Sequence, residues 1–297
     1  MADILLFVAL TASPPAWELW TSDGRPGGTG LLGVDIYDPY GAAADGATAW
    51  FFGADGLRYV LWSTDGTAAG TAVADPLLAT DGAGGTGLTA AGGALWFAAE
   101  DGTHGQELWI ARPGETAAAM VADLVDGAEG SAPVAVGSTP DGDLLFVAGP
   151  EGDRALWRSD GTADGTERLS GAGVAVAAQP GAWLDGRFHF AAADTAGGSE
   201  LWSTDGTGAG TSLAVEIRPG PAGSLVGPPI AMDGALYFAA TDSVSGSELW
   251  RFDGEAATRV ADIASNNLSS DPAGFVIFDD RLYFAASELD HGRELCG

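Results

Sequence analysis

One short stretch recurs along the chain and constrains its fold more than any other feature. Residues 200–207 read Glu-Leu-Trp-Ser-Thr-Asp-Gly-Thr, and close copies of the motif begin at Leu61 and Leu156. The tryptophan of this motif recurs every 42 to 48 residues, with a cysteine in the seventh place, at Trp20, Trp62, Trp109, Trp157, Trp202, Trp250 and Cys296. A period of roughly 40 to 50 residues is typical of solenoids and propellers.

The content of one period distinguishes these two classes. Four short stretches follow one another, separated by turns rich in Gly, Pro and Asp-Gly: Ser212–Ile217, Pro229–Met232, Ala235–Ala240 and Ser247–Phe252. Their length, their aromatic content and the absence of a 3.6-residue apolar pattern indicate strands. Four strands per period predict an all-β protein made of four-stranded propeller blades, with the stretch from Ser212 opening a blade.

The third stretch of each period carries a phenylalanine, at Phe7, Phe51, Phe97, Phe146, Phe190, Phe238 and Phe284. Ile4–Ala12 aligns with this stretch, so we interpret it as a strand and not as the core of a signal peptide. Seven copies of the last two strands and six of the first two give 26 strands. We therefore predict a single repeat domain over residues 1–297, or a fragment of a longer tract. Its β-propeller would have about seven blades counting one half blade, with six blades as the alternative.

The recurrent residues of the motif suit structural roles. Adjacent Leu and Trp face opposite sides of a strand, and both sides of a blade pack on neighbouring blades, so both residues are expected to be buried. Asp65, Asp160 and Asp205 each begin an Asp-Gly-Thr turn. In such a turn the Gly accepts a positive φ, while the carboxylate and the Thr hydroxyl bond the backbone.

Composition excludes several classes of partner. The formal net charge is −29, and all 12 basic residues are arginines, so neither nucleic acid nor an anionic membrane surface is an expected partner. No segment is long enough to insert into a membrane as an apolar helix. The single cysteine, Cys296, excludes an internal disulfide, and it stands where other copies have Trp.

A longer loop separates the first and second strands of most periods: Asp35–Gly46, Asp75–Gly87, Asp123–Pro133, Glu216–Pro228 and Asp262–Pro272. Several of these loops carry a Ser shortly before a Pro, as in Ser131 and Pro133. In a propeller such loops lie at one end of the ring, where ligands usually bind. The acidic loop with Asp123, Asp126 and Glu129 is a weak candidate for calcium, because acidic loops attract divalent ions.

The remaining polar residues do not form a recognisable catalytic pattern. Glutamates precede the motif Leu at Glu107, Glu200, Glu248 and Glu294. A catalytic site needs one constellation and not a repeated residue, so we predict that these glutamates bond a neighbouring turn. The three histidines show no zinc-ligand spacing, and no nucleophile motif is present. The sequence therefore predicts no catalytic residue and no cofactor, apart from the weak calcium candidate.

At the level of whole motifs the chain resembles the bacterial ELWxxDGT repeat proteins. Residues 200–207 match the motif in full, while Ala261–Ile263 and Leu282–Ala286 are similar to the rest of that repeat. Val60 and Ala155 depart from it at the Glu position. The resemblance implies a secreted or cell-surface location and a propeller-like fold, without an established common activity.

These observations together favour a non-catalytic binding or scaffold propeller of a secreted or surface protein, with an unidentified protein or glycan as ligand. The alternatives are a propeller hydrolase acting on carbohydrate and a repeat fragment with no independent function. A hydrolase would need several unrepeated acids that converge at one end of the ring.

Overall fold

The computed structural model describes residues 5–12, 15–45, 48–57, 59–75, 86–112, 115, 117–195, 197–224, 227–265 and 268–297. Most of the predicted loop Asp75–Gly87 therefore lies outside the described residues. Every regular element in the described part of the chain is a β-strand, which confirms the all-β prediction. None of the described residues belongs to a helix with the length and apolarity needed to cross a bilayer.

One compact unit comprises residues 1–133, 140–144 and 159–166. Its strands are β1 (Leu5–Ala12), β2 (Pro15–Ser22), β3 (Thr29–Leu31), β4 (Tyr37–Asp45), β5 (Thr48–Ala54), β6 (Tyr59–Thr64), β7 (Ala72–Asp75), β8 (Thr86–Ala91), β9 (Ala94–Ala99), β10 (Glu107–Ala111) and β11 (Ala119–Ala122). They form three antiparallel sheets, ordered β1-β2-β3, β4-β5-β6-β7 and β8-β9-β10-β11.

The second unit comprises residues 134–139, 145–158 and 167–297. Its strands are β12 (Val134–Ser138), β13 (Leu144–Ala148), β14 (Ala155–Ser159), β15 (Glu167–Arg168), β16 (Ala175–Val176), β17 (Ala182–Leu184), β18 (Arg187–Ala193), β19 (Ser199–Thr204), β20 (Ser212–Val215), β21 (Ile230–Met232), β22 (Ala235–Thr241), β23 (Ser247–Phe252), β24 (Ala257–Arg259), β25 (Ala273–Phe278), β26 (Arg281–Glu288) and β27 (Gly292–Cys296). Residues 144 and 159, at the ends of β13 and β14, belong to the first unit.

The sheets of the second unit keep the same antiparallel meander. They are ordered β12-β13-β14-β15, β16-β18-β19-β20 with β17 also paired to β18, β21-β22-β23-β24, and β25-β26-β27. Among the described residues the first sheet of the chain and the last one have three strands each.

The pairing corrects the predicted start of a blade. Ser212 begins β20, which pairs with β19 through Ser203 and therefore completes the preceding sheet. The physical reason is that the Asp-Gly-Thr turn reverses the chain beside β19, so the next strand must pair antiparallel to it. Each sheet accordingly begins with the strand after the long loop. The number of blades stays a prediction.

The register brings the predicted repeat residues together. Phe190 lies opposite Trp202 and Phe238 lies opposite Trp250 in antiparallel pairs. The same pairing joins Phe7 with Trp20, and Phe284 with Cys296 where the motif has lost its Trp. The two aromatic positions that recur with one sequence period are therefore direct cross-strand neighbours.

Burial differs between the two residues of the Leu-Trp pair. Leu61, Leu156 and Leu201 are fully buried, whereas the motif tryptophans are buried or half-buried. The indole N–H of Trp62 donates to the Gly53 carbonyl at 3.1 Å. The core is therefore built on the Leu and on the aromatic residues of the neighbouring strand, and Trp62 and Trp202 also belong to buried clusters.

Candidate functional site

The Asp-Gly-Thr turns have one common geometry. In the first turn the Asp65 carboxylate accepts the Thr67 N–H at 2.9 Å and the Thr67 hydroxyl at 2.7 Å. The Thr67 hydroxyl in turn accepts the Gly70 N–H at 3.0 Å, and the Thr71 hydroxyl donates to the Thr67 carbonyl. These contacts repeat, with the same distances from the carboxylate, in the turns of Asp160 and Asp205.

These hydrogen bonds act on the carboxylates themselves. The Thr67 hydroxyl and N–H lower the pKa of Asp65, and Thr207 does the same for the pKa of Asp205. Each carboxylate is exposed, ionised at neutral pH and hydrogen-bonded within its own turn. Such a turn is a structural element.

The glycine five residues after each Asp explains a further part of the motif. A Cβ placed on Gly210 would lie 2.0 Å from the nearer Asp205 carboxylate oxygen, and Gly165 is in the same position over Asp160. By contrast, a Cβ on Gly208 would meet its nearest neighbour, the Arg168 carbonyl oxygen, at 3.5 Å.

We expect Gly210→Ala to lower the free energy of unfolding by about 1 to 2 kcal/mol, because the methyl group displaces the Asp205 carboxylate from its hydrogen bonds. Gly208→Ala is the matched control, since its methyl group has room, and its effect should stay within about 0.5 kcal/mol. Denaturant unfolding of both variants measures the difference. Equal losses of stability in the two variants would show that the contact between position 210 and the Asp205 carboxylate does not contribute.

Three of the four repeated glutamates, Glu107, Glu200 and Glu248, are buried and accept hydrogen bonds from the loops that follow the motif. The Glu200 carboxylate accepts the N–H groups of Ile217 and Arg218 at 3.0 Å each and the hydroxyl of Ser224. Glu248 makes the equivalent bonds with Ile263 at 2.9 Å and with the Ser270 hydroxyl at 2.7 Å. These contacts agree with the prediction that the glutamates bond neighbouring turns for Glu200 and Glu248.

Glu107 repeats the arrangement in the first unit. Its carboxylate accepts the N–H groups of Leu124 and Val125 and the hydroxyl of Ser131 at 2.5 Å. Burial raises the pKa of Glu107, while these donors oppose the rise. The serine partner was not predicted, although the recurring Ser before Pro in these loops was a usable signal.

The calcium candidates lie on the loop that Glu107 holds. Asp123, Asp126 and Glu129 are all exposed. Among the described residues no three His, Cys, Asp or Glu side chains are grouped closely enough to hold a metal ion, so the structure does not bring these three carboxylates together. Calcium binding at this loop stays a prediction.

A cleft in the first unit is the candidate ligand site. It has a volume of about 310 Å³. Its lining includes Thr48, Trp50, Ser63, Asp65, Arg112 and Glu115. The indole of Trp50 is buried and provides an apolar wall, while the Arg112 guanidinium contacts the Gly161 carbonyl at 3.4 Å.

The lining of this cleft is both charged and apolar. One guanidinium and two carboxylates lie around a partly apolar space, a combination that suits a small ligand with charged groups of both signs. Of these residues only Asp65 was singled out from the sequence, as a turn residue. Arg112 replaces the motif Asp in its copy and Glu115 does not repeat, but a single sequence does not show that either residue approaches a cleft.

Comparison with known proteins identifies the fold. No protein-family model and no curated protein matches the chain. A solved structure of prolyl endopeptidases has 12% sequence identity and a TM-score of 0.58, covering 99% of this chain and 46% of that one. The fold is that of a β-propeller.

Two further solved structures match at a TM-score of 0.50. A puromycin hydrolase is 18% identical, with 91% of this chain and 46% of that chain covered. A puromycin-hydrolyzing peptidase of Mycobacterium tuberculosis is 15% identical, with coverages of 95% and 48%. The chain spans about half the length of the solved proteins that it matches.

These comparisons correct the function expected from the sequence. The prediction of a pure binding or scaffold propeller is wrong, and so is its alternative, a propeller hydrolase acting on carbohydrate. The comparisons do not bear on the predicted secreted or surface location, on the predicted protein or glycan ligand, or on the alternative of a repeat fragment with no independent function. The overturning finding is that the similar solved structures are those of prolyl endopeptidases and puromycin hydrolases. The sequence could not show this, because the repeat residues serve the fold and carry no information about substrate.

Proposed function

We propose that this chain is the propeller part of a longer protein that hydrolyses peptide-like substrates, and that the propeller contributes binding while another domain carries the reaction. The observation that supports the proposal is the pattern of coverage. The solved structures of prolyl endopeptidases and puromycin hydrolase match 91 to 99% of this chain, but 46% of their own length.

The cleft in the first unit supplies the binding part of this proposal. A peptide carries a carboxylate, an amine and apolar side chains, which correspond to Arg112, to Asp65 and Glu115, and to the Trp50 wall. At 12 to 18% identity no residue role is transferred from the similar structures, so these assignments rest on the cleft alone.

Assays of hydrolysis and of binding by the purified chain test the two parts of the proposal separately. The first assay asks whether the chain is non-catalytic, and the second asks whether it binds a peptide. We expect no turnover of puromycin or of a short prolyl peptide, and no covalent labelling by a fluorophosphonate that reacts with nucleophilic serines. Turnover that disappears in a single Ser→Ala variant would overturn the non-catalytic role.

Calorimetry with the same prolyl peptide tests the cleft. We expect saturable binding that Arg112→Ala weakens about tenfold, because a charge-assisted hydrogen bond contributes roughly 1.5 to 3 kcal/mol. Arg25→Ala is the matched control, since Arg25 is exposed and does not line the cleft. Absence of binding, or equal loss in both variants, would reject the cleft as the peptide site.

A further inference from the structure

In the described part of the chain, three residues that carry a side chain have a positive φ and directly precede a proline. They are Ala132, Asp38 and Asp271, with φ of 47°, 46° and 44°. A Cβ makes this region of φ unfavourable, and a following proline normally holds the preceding residue in an extended conformation. The backbone is therefore strained at these three positions.

The contacts on both sides of Asp271 maintain the strained conformation. The backbone N–H groups of Ser270 and Asp271 both donate to the Ser247 carbonyl, at 2.9 and 3.2 Å. Ser270 is fully buried, and its hydroxyl donates to the Glu248 carboxylate at 2.7 Å. Pro272 is also buried and leads directly into β25. Asp271 itself is exposed, so a fixed and strained peptide bond lies beside a carboxyl group at the surface.

A positive charge lies against the carbonyl group of the same residue. The Nη1 atom of Arg293, on β27, donates to the Asp271 carbonyl oxygen at 3.1 Å. The Nη2 atom donates to the Ala285 carbonyl at 3.3 Å, which helps to hold the guanidinium in place. A guanidinium in this position stabilises the negative charge that develops on a carbonyl oxygen when its carbon is attacked. The carbonyl carbon of Asp271 is therefore activated toward a nucleophile.

We propose that the Asp271–Pro272 peptide bond is a self-cleavage site that needs only water and a proton from solution. A carboxyl oxygen of Asp271 attacks its own carbonyl carbon and forms a cyclic anhydride. The carboxyl proton passes to the Pro272 nitrogen, which leaves as an amine when the C–N bond breaks. Water then opens the anhydride, so one product ends in Asp271 and the other begins with Pro272. The reaction goes beyond the proposed peptide binding and does not depend on it.

Two matched positions in the chain separate the contributions to this reaction. Asp38 has the strain, the carboxyl group and the proline, but no arginine among the described residues donates to its carbonyl. Ala132 has the strain and the proline but no carboxyl group. Its N–H donates to the Gln106 carbonyl at 3.1 Å, as that of Asp271 does to Ser247, so the two loops are equivalent. Cleavage should be fastest after Asp271, slower after Asp38 and undetectable after Ala132.

The cleaved protein should remain in one piece under native conditions. Leu282 and Phe284, which follow the cleavage site, lie in one buried cluster with Leu249, which precedes it. The two products should therefore separate only after denaturation, so the reaction has to be followed by denaturing mass spectrometry.

Intact mass spectrometry of the purified chain, incubated in mild acid, tests the proposal. We expect fragments of residues 1–271 and 272–297, which accumulate at least about tenfold faster than the products of cleavage after Asp38. Arg293→Gln should slow cleavage after Asp271 about tenfold, because it removes the charge from the carbonyl. Arg281→Gln is the matched control, since Arg281 is exposed on the same sheet, and it should leave the rate unchanged.

Asp271→Ala removes the attacking group and should abolish cleavage at this bond. The variant should fold, because Ala132 adopts the same backbone conformation in the equivalent loop, and circular dichroism checks this. In urea the chain loses both the strain and the contact with Arg293, so the rate after Asp271 should fall to the rate after Asp38. Absence of cleavage after Asp271, equal rates after Asp271 and Asp38 in the folded protein, or a rate that Arg293→Gln does not change would overturn the proposal.

Discussion

Glu200→Ala should lower the free energy of unfolding by about 3 to 5 kcal/mol, the largest loss we expect from a single substitution. The alanine leaves the N–H groups of Ile217 and Arg218 and the hydroxyl of Ser224 without their acceptor. Glu200 is only 4% exposed, so water cannot replace the carboxylate without opening the structure. Urea unfolding gives the change directly.

The chain contains a matched control for this substitution. Glu294 occupies the same place in the last copy of the motif, pairs with Ala286 across strands and is exposed. We expect Glu294→Ala to change stability by less than about 0.5 kcal/mol. If both alanine variants lost the same stability, the hydrogen bonds of the buried Glu200 carboxylate would not be the cause.

The second large effect that we expect is a loss of stability as the pH falls, caused by His189. His189 is 4% exposed, its ring lies 5.5 Å from the Phe252 ring, and its Nδ1–H donates to the Arg187 carbonyl at 3.1 Å. Burial lowers the pKa of His189 to about 4 from an ordinary 6.5. Between these two values the unfolded chain binds the proton and the folded chain does not.

It follows that His189 contributes its full stability above pH 6.5 and that this contribution falls as the pH drops toward 4. We expect the free energy of unfolding to fall by about 2 kcal/mol from this group between pH 7 and pH 5. His189→Phe should remove this part of the pH dependence, and His291→Phe, at an exposed position, should keep it. Thermal melts of the three proteins over this pH range measure the effect. If stability falls equally with pH in all three proteins, His189 is not the group responsible.

The period of the motif predicted much of the architecture. It predicted the strands around Phe238 and Trp250, because residues that recur with one period occupy equivalent places in each sheet. The direct pairing of these two residues was seen only in the structure. The period did not give the sheet to which the strand from Ser212 belongs, since local propensity says where a strand forms and not which neighbour it pairs with.

The sites were harder to predict for a different reason. The repeated Glu200 was assigned to a structural bond from its recurrence alone, and the contacts with Ile217 and Ser224 agree with that assignment. Arg112 and Glu115 approach the cleft only through tertiary packing, although Arg112 stands where other copies of the motif have Asp. Residues that do not repeat are the ones that can make one end of a repeat protein different from another, and a single sequence does not reveal them.

The contact between Asp205 and Gly210 has a consequence for how this repeat can diverge. Asp and Gly stand five residues apart in four copies of the turn, including Asp23 with Gly28, and in each the missing Cβ leaves room for the carboxylate. Once the Asp is replaced, a side chain at the glycine position no longer collides with a carboxylate. Copies should therefore lose the two residues together, as the copy at Arg112 and Ala117 has done. The two positions therefore act as one structural unit of the turn, and a substitution at either position affects the role of the other.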